Sequence, residues 1–553
     1  MIARESLRWN GWGRLGESMH LTRAREAALL AELGRRLGRP IARAPEPVEL
    51  DAIKLPPPKL APEILARMRA ACGEDGVRTS AFERVTHATG RSLPDLMRLR
   101  RGELDAFPEV VLYPAEEGAV AAVLRIAADA NLAVVPFGGG SSVVGGVAPC
   151  FAPGQAGALA LDTTRLDRLV RLDAESRTAT FQAGIDGPSL EAVLAARGFT
   201  LGHFPQSFEH STLGGWIATR SAGQQSDGYG AIDELLVCLR VVTPTGVIRT
   251  IEVPRSASGP EINQLLLGSE GALGVVVEAT VRVHPRAERF DERGMLFRSF
   301  HEGVAAVRAL RRAEIGVAMA RLSDEGETEL SLLLRRDPSR RFDPTATALG
   351  LTERFGYGAG RCALIYGAEG DRHAVRTAMF RARMLLLRHG GLPLGRGPGR
   401  SWRRDRYRTP YLRDWLLDHG IAADTMETAL PWSRLEAGHD AIVRALQTAC
   451  VRHAGGGLAM AHLSHSYLDG ACLYFTILYP IDASRDLEQW AAIKRDATEA
   501  ILAAGGTLSH HHGIGVDHKE WMTRERGVLA IEALRAAKSA VDPRGLMNPG
   551  KLL

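Results

Sequence analysis

Long apolar runs are missing from this chain. No stretch of about 18 consecutive apolar residues occurs, and the start carries no leader-like apolar core, so neither a membrane span nor a signal peptide is expected. Cysteine is sparse, and Cys72, Cys150, Cys238, Cys362, Cys450 and Cys472 include no C-x-x-C pair. That excludes a zinc ribbon and fits a reduced, cytoplasmic protein, with any membrane contact peripheral and on the inner face. The net charge of +5 over 553 residues is too small to indicate a nucleic-acid partner. With 45% hydrophobic and 24% charged residues, the composition is that of a globular enzyme of roughly two or three domains.

Glycine, by contrast, is plentiful and patterned. The stretch Pro136-Phe-Gly-Gly-Gly-Ser-Ser-Val-Val-Gly-Gly-Val147 follows Leu132–Val135, an apolar run that reads as a buried strand. Consecutive glycines allow the backbone to approach a ligand closely, and successive N–H groups with Ser141 and Ser142 form an anion site suited to phosphate or pyrophosphate. The spacing of this loop is neither G-x-G-x-x-G nor that of a P-loop. Alone, such a run is a flexible loop as readily as a ligand cradle, and context decides.

The context is a series of short strands: Ala158–Leu161, Leu169–Leu172, Thr178–Ala183, a hairpin of Ile232–Thr243 with Val247–Val253, and Val275–Val283. Helices are expected over Glu116–Ala130 and Pro188–Arg197. Glycine-bearing loops at Ser211–Trp216, Thr219–Gly223 and Ser269–Gly274 fall between them, so the loops together read as one extended cofactor bed. The first 105 residues look helical, and Trp9 and Trp12 are expected to pack that segment onto the body of the protein. From about residue 290, longer helices alternate with strands, among them Ala363–Tyr366 and Cys472–Tyr479. The segment 396–408 carries Arg396, Arg400, Arg403, Arg404, Arg406 and Arg408 around Trp402 and Tyr407. It reads either as a solvated loop or as a lid that docks on anionic lipid.

Pro136–Ser142, Ser269-Glu-Gly-Ala-Leu-Gly-Val275 and Asp542-Pro-Arg-Gly-Leu-Met-Asn-Pro-Gly-Lys551 resemble the vanillyl-alcohol oxidase/PCMH-type flavoproteins. Further matches run nearly end to end and resemble one branch of them, the alkylglycerone-phosphate synthases (alkyl-dihydroxyacetonephosphate synthases). They include Trp9–Gly13, Gly202-His203, Glu209–Trp216, Tyr411–Asp414, Glu427-Thr428, Gly470–Phe475 and Ser509–Gly513. The resemblance implies an α+β protein in four parts. These are an N-terminal helical segment (1–104), a PCMH-type FAD-binding domain of two α+β lobes (105–290), a cap domain with an antiparallel sheet flanked by helices (291–500), and a C-terminal segment returning to the FAD domain (501–553).

It also implies FAD, held by Pro136, Phe137, Gly138, Gly139, Gly140, Ser141, Ser142, Gln206, Ser211, Thr212, Thr219, Arg220, Ser221, Ala222, Glu270, Gly271, Ala272, Leu273, Gly274, Val275 and Val276. No histidine lies in 136–147, so the flavin is expected to be non-covalent. The implied reaction exchanges the acyl chain of acyl-dihydroxyacetone phosphate for a fatty alcohol, with flavin N5 holding the three-carbon unit and no net redox. Lipid substrates, a homodimer and no metal belong to the same expectation.

Histidine is the default acid–base group near neutrality, and His510, His511 and His512 precede a Gly-Ile-Gly turn that can present them to a ligand. By the resemblance the triplet is essential, Tyr474 is the proton donor/acceptor, and Arg413, Arg321 and His203 contact substrate. A guanidinium fork suits phosphate. Two departures border the flavin bed: Gln206 stands where the family has an acid, and Gln224–Asp227 replaces a more basic stretch. The alternative, an FAD-linked oxidase or dehydrogenase of a 2-hydroxy acid, would carry a G-D-G-N-x-x-H motif where Ser464–Gly470 stands, and a Glu-His pair where His511-His512 stands.

Overall fold

The helix expected over Glu116–Ala130 forms as Glu117–Asp129, burying Val120, Val123, Leu124 and Ala127 along one stripe. It feeds the strand Ala133–Phe137, which is buried on both faces and pairs in parallel with Ala158–Asp162. This computed structural model describes residues 4–19, 21–41, 43–335 and 350–553. Val111–Leu112 and Val77–Arg78 complete a four-stranded sheet on the other side of Ala158–Asp162. The run from Leu546 to Asn548 lies beside its edge: Val134 N donates to Leu546 O and Asn548 N to Val134 O, both 2.8 Å.

A second, antiparallel sheet has the order Leu169–Asp173, Thr178–Gln182, Val275–Arg282, Leu236–Thr243, Gly246–Arg249. Its hairpin is shorter than expected. Ile232–Leu235 is one turn of helix, because Glu234 reaches back to accept the Ala231 N–H and closes that turn before the strand can start.

The largest sheet has seven antiparallel strands, in the order Leu392–Gly395, Arg289–Phe297, Cys362–Gly370, Met319–Ser323, Leu458–Ser466, Gly470–Pro480, Ile421–Pro431. Alternation along these strands sends two sets of side chains to opposite faces. Leu322, Leu364, Leu463, Leu473, Phe475 and Met426 bury one face under the helices Phe300–Arg312, Arg372–Arg388, Trp432–Ala454 and Asp486–Ala503. The other face looks toward the first two sheets and lines a cavity.

The segment 396–408 is neither a loop nor largely solvated. It holds the helix Gly397–Asp405, with Pro398 in the first turn, followed by the helix Thr409–Asp418. Three of its arginines are held by partners within the protein, whereas Arg400, Arg404 and Arg408 are exposed. Arg396 pairs with Asp291, Arg403 with Glu292 and Glu369, and Arg406 donates to Gln225 while lying over Phe204 and Tyr407. Tyr407 stacks on Phe208 at 5.3 Å. Trp12 packs edge-on against His210, and its main-chain N–H donates to Asp414, so the N-terminal segment is laid onto both halves. Among the described residues no helix is long and apolar enough to cross a membrane.

Candidate active site

The glycine run is required where it stands. A Cβ on Gly138 would overlap Thr212 Oγ1, and one on Gly139 would overlap the His210 carbonyl. With the loop pressed on that segment, none of the N–H groups of Gly138–Ser142 donates to an acceptor among the described residues. Arg4 supports the loop from behind. It donates to Gly138 O (2.6 Å) and to the fully buried Asp162 (2.7 Å), which also meets His87 Nε2 at 3.0 Å.

The loop lines a cavity of about 1600 Å³, larger than the roughly 300–1,000 Å³ of ordinary ligand pockets. Pro136, Phe137, Gln206, Ser211, Thr212, Thr219, Ser221, Ala222, Glu270, Gly271, Gly274, Val275 and Val276 line it too. Ala272, Leu273 and Arg220 do not. Arg220 adopts the left-handed conformation (φ 53°), and its guanidinium turns to Gln264 and Asp233. Glu270 ties the bed to the end of the chain: its carboxylate accepts from Ile514 N (2.5 Å) and Gly515 N (2.7 Å). Burial pushes that carboxyl up to about 7 against those two donors.

The opposite wall is the open face of the seven-stranded sheet. The register sets Glu427, Tyr474 and His462 in one row across three neighbouring strands. Tyr474 stacks on His462 at 4.9 Å, and its ring lies 6.0 Å from His511 and 5.4 Å from His512. Burial raises the Tyr474 phenol above its ordinary range, so it is neutral. The three histidines lie on a bend, not a strand, and Glu427 builds that bend. Its buried carboxylate accepts the N–H of His510 (2.8 Å), His511 (3.0 Å) and His512 (2.9 Å) and the Ser509 hydroxyl (2.8 Å). Burial would raise this carboxyl, but the histidines around it hold it well below its usual range. Burial pushes His512 down to about 3, against the pull of Glu427.

His511 and His512 line the cavity, whereas His510 sits one layer behind. Arg413 lines it with Nη1 on Arg91 O (2.8 Å) and a buried Nε that has no partner among the described residues. Arg321 lines it already paired to Glu327 (2.7 Å), whose carboxylate also meets His462 Nδ1 at 3.0 Å. His203 does not reach the cavity. It is fully buried against Trp216, bonds Ser221 Oγ through Nε2 (2.8 Å), and is pushed down to about 3 by burial. It therefore positions a wall residue instead of touching substrate.

Sequence reasoning missed Glu427 as the organiser of the triplet; its one signal was a carboxylate inside a mostly apolar strand. His462 and His465 also line the cavity, and the Gln224–Asp227 departure has a local role. Ser226 Oγ bonds His465 Nδ1 (2.8 Å), and Asp227 accepts Ser466 N and Oγ. Glu427, Cys472, His510 and His511 bring four possible ligand atoms within 4.8 Å, but both Glu427 oxygens are already engaged by main-chain donors. No metal site is assigned there. The unpaired N–H groups of Gly138–Ser142, with the Thr212 hydroxyl, fit the phosphates and polar edges of FAD.

Residues 108–252 match the FAD binding domain family, and residues 293–552 match the C-terminal domain of FAD linked oxidases. Fold and site thus define a flavoprotein with a PCMH-type FAD-binding fold. The chain is 35% identical to the alkyldihydroxyacetonephosphate synthase of Dictyostelium discoideum, over 92% of this chain and 83% of that protein. It is 33% identical to that of Trypanosoma brucei brucei, over 99% and 92%. A solved alkyldihydroxyacetonephosphate synthase structure, 29% identical, superposes with a TM-score of 0.85 over 99% of this chain and 98% of that one. The chain belongs to the alkyldihydroxyacetonephosphate synthase family.

Proposed function

We propose that this flavoenzyme forms the ether bond of an ether lipid. The acyl chain of acyl-dihydroxyacetone phosphate is exchanged for a fatty alcohol, giving alkyl-dihydroxyacetone phosphate and a free carboxylate without net redox change. One observation carries the reading. A single cavity joins the glycine cradle, Tyr474, His511, His512 and Arg413 to an apolar end made by Leu29, Leu33, Leu330, Leu334, Met460 and Leu478.

Each part answers a need of the reaction. The leucines suit an alkyl chain, and the free Arg413 Nε suits a phosphate oxygen. FAD held by the glycine cradle would supply nucleophilic chemistry, by which one hard displacement is split into two easier ones. Tyr474 keeps a proton to give, and His511 and His512 stand beside it to take one. Arg321, already paired to Glu327, adds positive field more than a second phosphate clasp. We read 1–104 as the N-terminal helical segment, 105–290 as the FAD domain, 291–500 as the cap and 501–553 as the returning segment. Support for the boundary near 290 comes from the four- and five-stranded sheets falling before it and the large sheet essentially after it, while Val77–Arg78 of the first segment joins the four-stranded sheet. Non-covalent FAD, a homodimer and peripheral contact with a bilayer, through the exposed Arg400, Arg404 and Arg408, belong to the same proposal. Acid precipitation, light scattering and liposome co-sedimentation check these in turn.

The deciding assay gives FAD-loaded protein acyl-dihydroxyacetone phosphate and a radiolabelled fatty alcohol. Labelled ether product and an equal amount of fatty acid are expected. Tyr474→Phe should keep its FAD and lose exchange by about 100-fold or more, the usual scale of proton-transfer catalysis. Reduction of a dye by a 2-hydroxy acid, with no exchange, would overturn the reading in favour of an oxidoreductase.

A further inference from the structure

The exchange proposed above, on which this inference rests, releases one proton per turnover. An alcohol O–H is consumed, and the departing acid is an anion at neutral pH. That proton appears deep in the cavity and needs a way out.

Three side chains are hydrogen-bonded in series from the cavity wall outward. His511 faces the cavity. Its Nδ1 lies 2.9 Å from His510 Nδ1, and His510 Nε2 lies 2.6 Å from Tyr467 Oη. Tyr467 is half-buried on the turn between the strands Leu458–Ser466 and Gly470–Pro480, and the next two residues, Leu468 and Asp469, are exposed. The tautomers follow from the neighbours. Glu427 Oε2 lies 3.0 Å from His511 Nδ1, and a carboxylate favours the proton on that nitrogen. His510 Nδ1 is then the acceptor, so His510 carries its proton on Nε2 and donates it to Tyr467. His511 Nε2 is left bare.

We propose that His511, His510 and Tyr467 form a proton wire that carries the reaction's proton from the cavity to solvent. His511 Nε2 takes the substrate proton and gives its Nδ1 proton to His510 Nδ1. His510 gives its Nε2 proton to Tyr467 Oη, and the original Tyr467 proton passes to water. One proton enters and one leaves, no bond between heavy atoms changes, and tautomer exchange resets the pair between turnovers. His510 and Tyr467 touch no substrate and act through His511.

The surroundings suit transit without storage of charge. His510 is stacked on His465 at 5.2 Å and lies 3.8 Å from Glu427. Burial pushes His510 down to about 4 and His465 well below its ordinary value, so both are neutral at working pH. Around Tyr467 stand the Cys472 thiol, kept protonated by burial, and the carboxyls of Asp227, Asp233 and Glu234. Glu234 is exposed, and its carboxylate accepts the Ala231 N–H.

The turn does not depend on the phenol. Tyr467 N donates to Gly470 O (2.8 Å), and Tyr467 O accepts from Trp432 Nε1 (3.1 Å), so Tyr467→Phe should fold and keep FAD. In the holoenzyme, Tyr467→Phe should lower kcat about tenfold with KM for both lipids unchanged and raise the solvent deuterium isotope effect. Millimolar imidazole should restore turnover to Tyr467→Ala. Wild-type turnover and isotope effect in Tyr467→Phe would overturn the wire, and so would a loss that neither changes the isotope effect nor responds to imidazole. Were the wild type to show no exchange at all, the reaction reading would fall, and 15N NMR would still judge the wire. His510 should be protonated at Nε2, with that proton exchanging more slowly in Tyr467→Phe; protonation at Nδ1 would overturn it.

Discussion

Arg413 carries its charge into the cavity with one nitrogen anchored and another left without a partner. Nη1 is held by the Arg91 carbonyl, which fixes the plane of the guanidinium, and Nε is buried without a partner among the described residues. A lysine keeps the charge but is a point donor on a flexible stem, and it cannot hold Arg91 O and a phosphate oxygen in one plane. Arg413→Lys should therefore lower kcat/KM by about 10–100-fold, the worth of one charged hydrogen bond (roughly 1.5–3 kcal/mol), with the effect mainly in KM for the phosphorylated lipid. Steady-state kinetics on both substrates checks this; unchanged KM would remove Arg413 from phosphate binding. The same scale explains His203. From sequence it was a candidate contact, but only its surroundings reveal that Trp216 covers its face and Ser221 takes its Nε2.

At the scale of elements, the first few residues reach the flavin bed. Arg4 bridges the glycine loop and the end of the strand Ala158–Asp162 by holding Asp162, whose other partners are His87 and Thr164. Burial would raise the Asp162 carboxyl, and Arg4 and His87 reverse that and keep it ionised. Removing one partner from a buried pair leaves an uncompensated charge, which costs about 3–5 kcal/mol. Arg4→Ala should lose that much stability and retain less FAD, because the Gly138 carbonyl loses its support. Asp162→Asn added to Arg4→Ala should recover most of the stability, as the stranded charge is gone. Denaturant melts and the ratio of flavin to protein absorbance check both variants. If the double variant is no more stable than Arg4→Ala, charge burial is not the cause.

Across the whole molecule, buried histidines and carboxyls set the response to acid. Burial pushes His203, His512 and His518 down to about 3, His210 and His510 to about 4, and His465 well below its ordinary value. Each is neutral in the folded chain and takes up a proton on unfolding below about pH 6.5, so stability falls as pH drops through that point. Glu270 and Asp517, raised to about 7, and Asp227, raised to about 6, act in the opposite sense between pH 4.5 and 7. Burial lowers His284 and His462 as well, and it raises Asp95, Glu191, Glu209 and Asp414 on the other side, so the two sets largely offset in number. Each histidine held neutral should therefore cost stability as pH drops below about 6.5, by up to about 1.4 kcal/mol per pH unit for one ring. Urea midpoints of the wild type and of His518→Gln between pH 5 and 7 measure it, and equal slopes in the two would contradict the neutral state of that ring.

Much of this was legible in the chain because it was local. The helix Glu117–Asp129, the strand Ala133–Phe137 and the glycine turn after it follow from periodicity and from residues that lack or restrict a side chain, and neither signal needs a distant partner. The chemistry of the wall was partly legible, since a tyrosine in a strand and three histidines before a glycine turn are chemical types at known positions. Partnership was not. That Glu427 gathers the main-chain donors of residues 510–512, that Arg403 and Arg406 are consumed by Glu292, Glu369 and Gln225, and that Tyr467 meets His510 are pairings across tens to hundreds of residues. By itself the sequence determined which groups the protein owns and the local backbone that carries them. The tertiary structure alone decided which group faces which, because burial, charge pairing and proton transfer depend on distances that only the folded chain sets.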